Sequence, residues 1–136
     1  MAKEGGCLCG KVRISYTSEP VTKLLCHCLD CRKISGSGFS INLIVPEEGF
    51  KITSGTPKTF TKVADSGLDI TGHFCGDCGT TLFRDGECFG TNKILKTGIM
   101  DDLHALDDAK PVVELFSRSR VSWVPAVPGA DQKETV

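Results

Sequence analysis

The run Cys26-His27-Cys28-Leu29-Asp30-Cys31 constrains this chain more than any other stretch, because it puts three thiols within six residues. In an extended segment residues two apart point the same way, so Cys26 and Cys28 share a face and His27 points away from it. A turn over the next positions brings Cys31 back toward the same point, as in zinc knuckles. One short loop therefore supplies three soft ligands. A structural zinc takes four protein ligands, whereas a catalytic zinc keeps three and leaves one position open. A cluster of three with no local fourth has the pattern of an open site.

The other cysteines come in pairs. Cys7 and Cys9 form a C-x-C on the glycine-rich stretch Gly5-Gly6-Cys7-Leu8-Cys9-Gly10, and Cys75 and Cys78 form a C-x-x-C ahead of Gly79. Joining these two pairs makes one closed four-thiolate site and leaves the triple cluster open. A second partition joins Cys28 and Cys31 to Cys75 and Cys78 in a ribbon-like site. On the first, Cys88 is left over and reads as a small buried hydrophobe rather than a nucleophile.

At 136 residues the chain is most simply one domain, large enough to bury roughly two-thirds of its unfolded surface without disulfides. No apolar run approaches the ~20 residues of a membrane span, and Met1-Ala2-Lys3-Glu4-Gly5 has no apolar signal stretch. The expectation from these features is the cytoplasm, a reducing compartment where clustered cysteines are metal ligands rather than disulfides. The formal net charge is −1. Seven thiolates and two zinc ions would together take it to about −4. With no basic run, that charge excludes non-specific nucleic-acid binding and the reading of the zinc as a DNA-binding finger.

Alternation predicts strands. Val12, Ile14 and Tyr16 alternate with polar residues, Val21 to Leu25 lead into the cysteine cluster, and Phe39, Ile41, Leu43 and Val45 give the cleanest signal. Phe50 to Thr53 and Thr59 to Val63 flank Ser54-Gly55-Thr56-Pro57 as a strand, turn, strand. Leu68 to Phe74 runs into Cys75. Asp85-Gly86 predicts a tight hairpin between Thr81–Arg84 and Glu87–Phe89. Ile94 to Thr97 and Val112 to Phe116 complete the strands, while only Arg32 to Ser35 and Asp101 to Ala109 read as helical. The fold class is mainly β, with few short helices.

Taken together, Gly6-Cys7-Leu8-Cys9-Gly10, Cys26-His27-Cys28-Leu29-Asp30-Cys31-Arg32-Lys33 with Gly36, and Phe74-Cys75-Gly76-Asp77-Cys78-Gly79-Thr80 resemble the glutathione-dependent formaldehyde-activating enzyme family. That family also includes centromere protein V. The resemblance implies a single zinc-binding β-tent domain over residues 1–124, the architecture shared with methionine-R-sulfoxide reductases. Residues 125–136 would then be a tail without fixed structure. It implies two Zn2+ per chain, a structural one on Cys7, Cys9, Cys75 and Cys78 and a catalytic one on Cys26, Cys28 and Cys31. The activity implied is condensation of glutathione with formaldehyde to S-hydroxymethylglutathione, which in reverse is a carbon–sulfur lyase reaction.

The residues support that chemistry independently. Coordination deprotonates a thiol, and the thiolate is the nucleophile. Three thiolate ligands make a weak Lewis acid, suited to thiol delivery or departure more than to hydrolysis. His27 and His73 are candidates for moving the proton, with His27 read first as a supporting residue beside the metal. His104, among acids, reads as solvated. Arg32 and Lys33 follow the open site and are placed to meet the carboxylates of a small-molecule thiol such as glutathione. The expectation is a zinc-dependent carbon–sulfur lyase-type enzyme with neither nucleic-acid nor membrane partners. The alternative is a non-catalytic, zinc-stabilised interaction domain. A cysteine-based reductase is weaker, since only Cys88 would remain free.

Overall fold

Short strands separated by turns dominate the computed structural model, which describes residues 1–136. In chain order the first half holds β1 (Lys3–Gly6), β2 (Arg13–Tyr16), β3 (Thr22–Cys26), α1 (Leu29–Ser35), β4 (Ser40–Val45), β5 (Lys51–Ser54) and β6 (Lys58–Val63). The second half holds β7 (Asp69–Phe74), β8 (Thr81–Gly86), β9 (Lys93–Lys96), α2 (Ala105–Asp108), β10 (Val113–Leu115) and β11 (Asp131–Gln132). Three single 3₁₀ turns, at Glu87–Phe89, Thr97–Ile99 and Ser117–Ser119, link the later strands. No helix is long and apolar enough to cross a membrane.

The strands form two sheets. A three-stranded antiparallel sheet runs β1-β2-β5, and an eight-stranded sheet runs β11-β10-β3-β4-β9-β8-β7-β6. The larger sheet is antiparallel except that β10 lies parallel to both β3 and β11. This is the mainly β, single-domain architecture that the motifs implied.

Register decides which side chains meet. Leu24 pairs with Asn42, Cys26 with Ser40, Asn42 with Lys96, and Ile94 with both Ile44 and Arg84. Because side chains alternate along a strand, Cys26, Ser40, Asn42, Lys96 and Arg84 share one face of the large sheet. Leu43, Leu95 and Phe83, paired in register, share the other. That second face packs with Val12, Ile14 and Tyr16 to make the main core, together with Val45 and Leu82. Ile14, Val45, Leu82 and Leu95 are fully buried there, each contributing about 1.5–3 kcal/mol of apolar burial. The first face carries a smaller core of Leu24, Ile44, Ile94 and Leu115 around Cys26 and Cys31.

Four sequence expectations are corrected here. Ser54 to Pro57 is not a hairpin turn but a crossing between sheets, since β5 pairs with β2 and β6 with β7. Asp85-Gly86 does not turn either. β8 continues through Gly86, which pairs with Ile70, while Asp85 accepts hydrogen bonds from His73 and Lys93. The expected helix from Asp101 shrinks to the four residues of α2. The segment after residue 124 lies against the sheet. β11 pairs with β10, the Phe116 amide donates to Thr135 and the Ser117 amide to Lys133. Local composition could not show that β10 has a free edge for this segment to cover.

Candidate metal centres and the adjoining cavity

Two turns from opposite ends of the fold make the first cysteine group. After β1 the chain turns so that Cys7 and Val12 bond each other twice: the Cys7 amide donates to the Val12 carbonyl (3.0 Å) and the Val12 amide donates to Cys7 Sγ (3.2 Å). After β7 the Gly79 amide closes onto the Cys75 carbonyl at 2.9 Å. Gly10 and Gly79 close these turns with φ of 82° and 79°, a left-handed conformation that side chains with a Cβ resist. The result brings Cys7, Cys9, Cys75 and Cys78 together with their sulfurs within 4.8 Å of one another. Cys7 and Cys9 sulfurs are 3.6 Å apart, and Cys9 and Cys75 sulfurs 3.7 Å. Four sulfurs at ~2.3 Å from a tetrahedral zinc sit about 3.8 Å from each other. The spacing therefore fits the ion. Hydrogen bonds from the Thr80 hydroxyl and amide hold the Cys78 thiol down to about 5, in the range where it is a thiolate at neutral pH.

The second group is built by the end of β3 and the start of α1. Cys26 is the last residue of β3, Cys28 caps α1 by accepting from the Cys31 amide (3.4 Å), and Cys31 faces inward from its first turn. These three sulfurs also lie within 4.8 Å of one another, and no fourth thiol, imidazole or carboxylate joins them. Contacts from Cys26 and Cys28 hold the Cys31 thiol well down, while contacts with Cys28 and Cys31, together with burial, push Cys26 up. Three crowded thiols share protons in this way because three bare thiolates repel. A divalent cation removes that conflict, so this donor set also fits zinc.

The three-cysteine group opens on a cavity of about 280 Å³. Its floor is the first face of the large sheet, with Leu24, Ile94 and Leu115 beside Asn42, Arg84 and Lys96. Lys62 of β6 and Asp30 of α1 close it from the side, and Cys88, exposed rather than buried as the sequence suggested, also lines it. Asp30 accepts from Lys62 (2.9 Å) and from Arg84 (3.2 Å), tying α1 to β6 and β8. Although burial opposes it, these two cations hold the Asp30 carboxyl below its usual range. Burial pushes the Lys96 ammonium below its usual range. A larger cavity of about 470 Å³, between the N-terminus and α2, is lined by none of the cysteines.

The remaining candidates fall elsewhere. His27 is fully buried and does not line the cavity; its Nε2–H donates to Glu114 Oε1 at 2.7 Å. Glu114 also accepts from the Val127 amide and Gln132 and forms an ion pair with Arg120. His73 stacks on Phe83 with centroids 4.1 Å apart and bonds Asp85, in neither cysteine group. Arg32 and Lys33 are exposed and line no part of the cavity. Once Cys31 points inward, the next two positions of a helix turn about 100° and 200° away from it. The cations that do line the cavity, Lys62, Arg84 and Lys96, come from strands distant in sequence.

Fold and site together define the class: a mainly β domain with one group of four cysteines and one of three, each spaced so that it could hold a metal ion. The model of the glutathione-dependent formaldehyde-activating enzyme family matches residues 2–119, and the chain belongs to that family. A Penicillium rubens protein named "Putative glutathione-dependent formaldehyde-activating enzyme" is 34% identical over 77 residues, covering 57% of this chain and 39% of that one. An Emericella nidulans protein of the same name is 31% identical over 77 residues, covering 57% of this chain and 38% of its own length. The chain thus spans about two-fifths of the length of these curated relatives. A crystal structure of a Rhodobacter sphaeroides protein shares the fold, with a TM-score of 0.62 at 17% identity over 79% of this chain and 96% of that one.

Proposed function

We propose that this chain is a cytoplasmic, zinc-dependent enzyme of carbon–sulfur lyase type. It makes or breaks the bond between a thiol, glutathione or a similar one, and a small electrophile such as formaldehyde. The observation that carries this reading is the group Cys26, Cys28 and Cys31, which lacks a fourth ligand and opens on a cavity of about 280 Å³. Cys7, Cys9, Cys75 and Cys78 line neither large cavity and suit a structural ion. Zinc held by the three cysteines would acidify a thiol at the position they leave free.

The chain's own residues supply the rest. Leu24, Ile94 and Leu115 make part of the cavity floor apolar, which strengthens charge interactions beside it. Asp30, held by Lys62 and Arg84, fixes the helix turn that carries Cys31. Lys62, Arg84 and Lys96 give the cavity cations for an anionic thiol.

The test is exchange NMR of glutathione with formaldehyde, using protein of measured zinc content. Adduct exchange should exceed the spontaneous background, fall to it on chelation and return with zinc. Glutathione thioether conjugates form a second arm, read as free-thiol release. Background rates throughout, with both sites loaded, would overturn the enzymatic reading in favour of a zinc-stabilised interaction domain.

A further inference from the structure

Lys96 is a cation on the cavity floor that enters no ion pair. Its ammonium donates to Asn42 Oδ1 at 2.8 Å, and that is its one side-chain partner. Asn42 cannot turn away, because its Nδ2 donates to the Ser40 carbonyl (3.2 Å) and the Ser40 hydroxyl (2.9 Å). With Nδ2 so used, Oδ1 must face Lys96. Asn42 is 1% exposed and pairs in register with Lys96, so the two strands hold the ammonium in place. Arg84, 7% exposed and lining the same cavity, gives Nη2 to Asp30 while its Nε has no acceptor. The cavity therefore holds donors in excess: an ammonium with one of three protons used, and an orphaned guanidinium N–H. A buried donor without a partner is destabilising, because it has lost its bond to water and gained none in return. An arrangement that leaves several beside a nucleophile's binding site is suited to an oxygen that gains negative charge there.

We propose that Lys96, positioned by Asn42, donates a hydrogen bond to the oxygen that becomes negative when a thiolate sulfur adds to a carbonyl carbon in this cavity, and that the same subsite binds the carboxylate of a short anionic thiol. The inference rests on the reading that a thiol meets a carbonyl compound here. In the step, the sulfur–carbon bond forms and the carbonyl π pair moves to oxygen. The proton given up by the thiol ends on that oxygen, so thiol and aldehyde yield a hydroxyalkyl thioether with nothing left over. Lys96 acts as an ammonium throughout. In reverse it withdraws support as the carbonyl re-forms and the thiolate leaves.

The experiment compares the zinc-loaded wild type with Lys96→Met, Lys96→Gln and Lys96→Arg, each checked for zinc content. One readout is kcat and KM for glutathione and formaldehyde. The other is independent of turnover: the binding of thioglycolate against cysteamine, two short thiols of opposite charge, followed by NMR titration. Lys96→Met and Lys96→Gln should lose about 10²-fold in kcat with zinc retained, as when one oxyanion donor is removed. Lys96→Arg should recover part of it. The wild type should favour thioglycolate by about tenfold, and both neutral variants should lose that preference. If rate falls only in proportion to lost zinc, Lys96 merely balances the cluster's charge and the proposal is overturned. Unchanged kcat and an unchanged thioglycolate preference overturn it too. A wild type without turnover refutes the reaction reading instead, and the thioglycolate preference then decides the anion subsite alone.

Discussion

Glu114→Gln is the substitution that tests how the fold holds the three-cysteine turn in place. Glu114 is fully buried and receives three hydrogen bonds, from His27 Nε2 at 2.7 Å, the Val127 amide at 2.8 Å and Gln132 Nε2 at 2.7 Å, with the Arg120 guanidinium as its ion-pair partner at 3.3 Å. Burial alone would raise its carboxyl, but Gln132, His27, the Val127 amide and the charge of Arg120 bring it down to about 2. Relative to an ordinary value near 4.5, that shift corresponds to about 3 kcal/mol of stability. An independent count agrees. An amide turns one oxygen into NH₂ facing donors, leaving buried groups unpaired at about 1–3 kcal/mol each. Against a total of about 5–15 kcal/mol, a loss of about 3 is large. The damage should also be local. Glu114 ties down His27, which lies between Cys26 and Cys28, and the 127–132 stretch. Removing such support beside a metal typically costs about 10–100-fold in affinity. Urea unfolding at neutral pH, hydrogen exchange of β11 and competitive zinc titration would measure the three effects. Because the folded pKa is depressed, the stabilisation is present above about pH 4.5 and is lost as pH falls toward 2. The gap between wild type and Glu114→Gln should therefore close over that window. A loss below about 1 kcal/mol with β11 amides still protected would refute the reasoning.

Metal analysis of protein purified without chelator should approach two zinc ions per chain, and one tightly held ion with titratable Cys26, Cys28 and Cys31 thiols would contradict this. Cys75→Ser or Cys78→Ser should abolish soluble folding, because structural zinc contributes about 10 kcal/mol or more to folding. Cys28→Ser or Cys31→Ser should instead leave a folded, one-zinc protein without activity; the reverse pattern would exchange the roles of the two sites. Asp30→Asn removes the shared partner of Lys62 and Arg84 and should cost about 2 kcal/mol in denaturant unfolding, with a larger proportional loss in kcat than in zinc content.

The local motifs were legible because their chemistry is local. A C-x-C, a C-x-x-C and a C-x-C-x-x-C announce soft-metal turns whatever sheet carries them, and glycines at positions 10 and 79 mark where such turns close. Alternation found β4 through Leu43 and Val45, and by itself it marks only one face of the strand as apolar. Ser40, Asn42 and Ile44 are buried as well, on the face that holds the cavity. Lys96 and Arg84 escaped for the same reason, since only the pairing of β4, β8 and β9 brings them beside Cys26. Arg32 and Lys33 were read into the site by adjacency to Cys31, whereas helical geometry turns them outward. Glu114 looked like one acid in an apolar run. Its meaning depends on β11, whose place against β10 is fixed by a free sheet edge and not by its own composition.

The most direct test of the account is the rate of glutathione–formaldehyde adduct exchange as zinc is returned stepwise to metal-free protein refolded with one equivalent. The account predicts a background rate with the four-cysteine site alone filled, then a rise proportional to the second equivalent. A full rate at one equivalent with Cys26, Cys28 and Cys31 still alkylatable, or no rise at two, would contradict it.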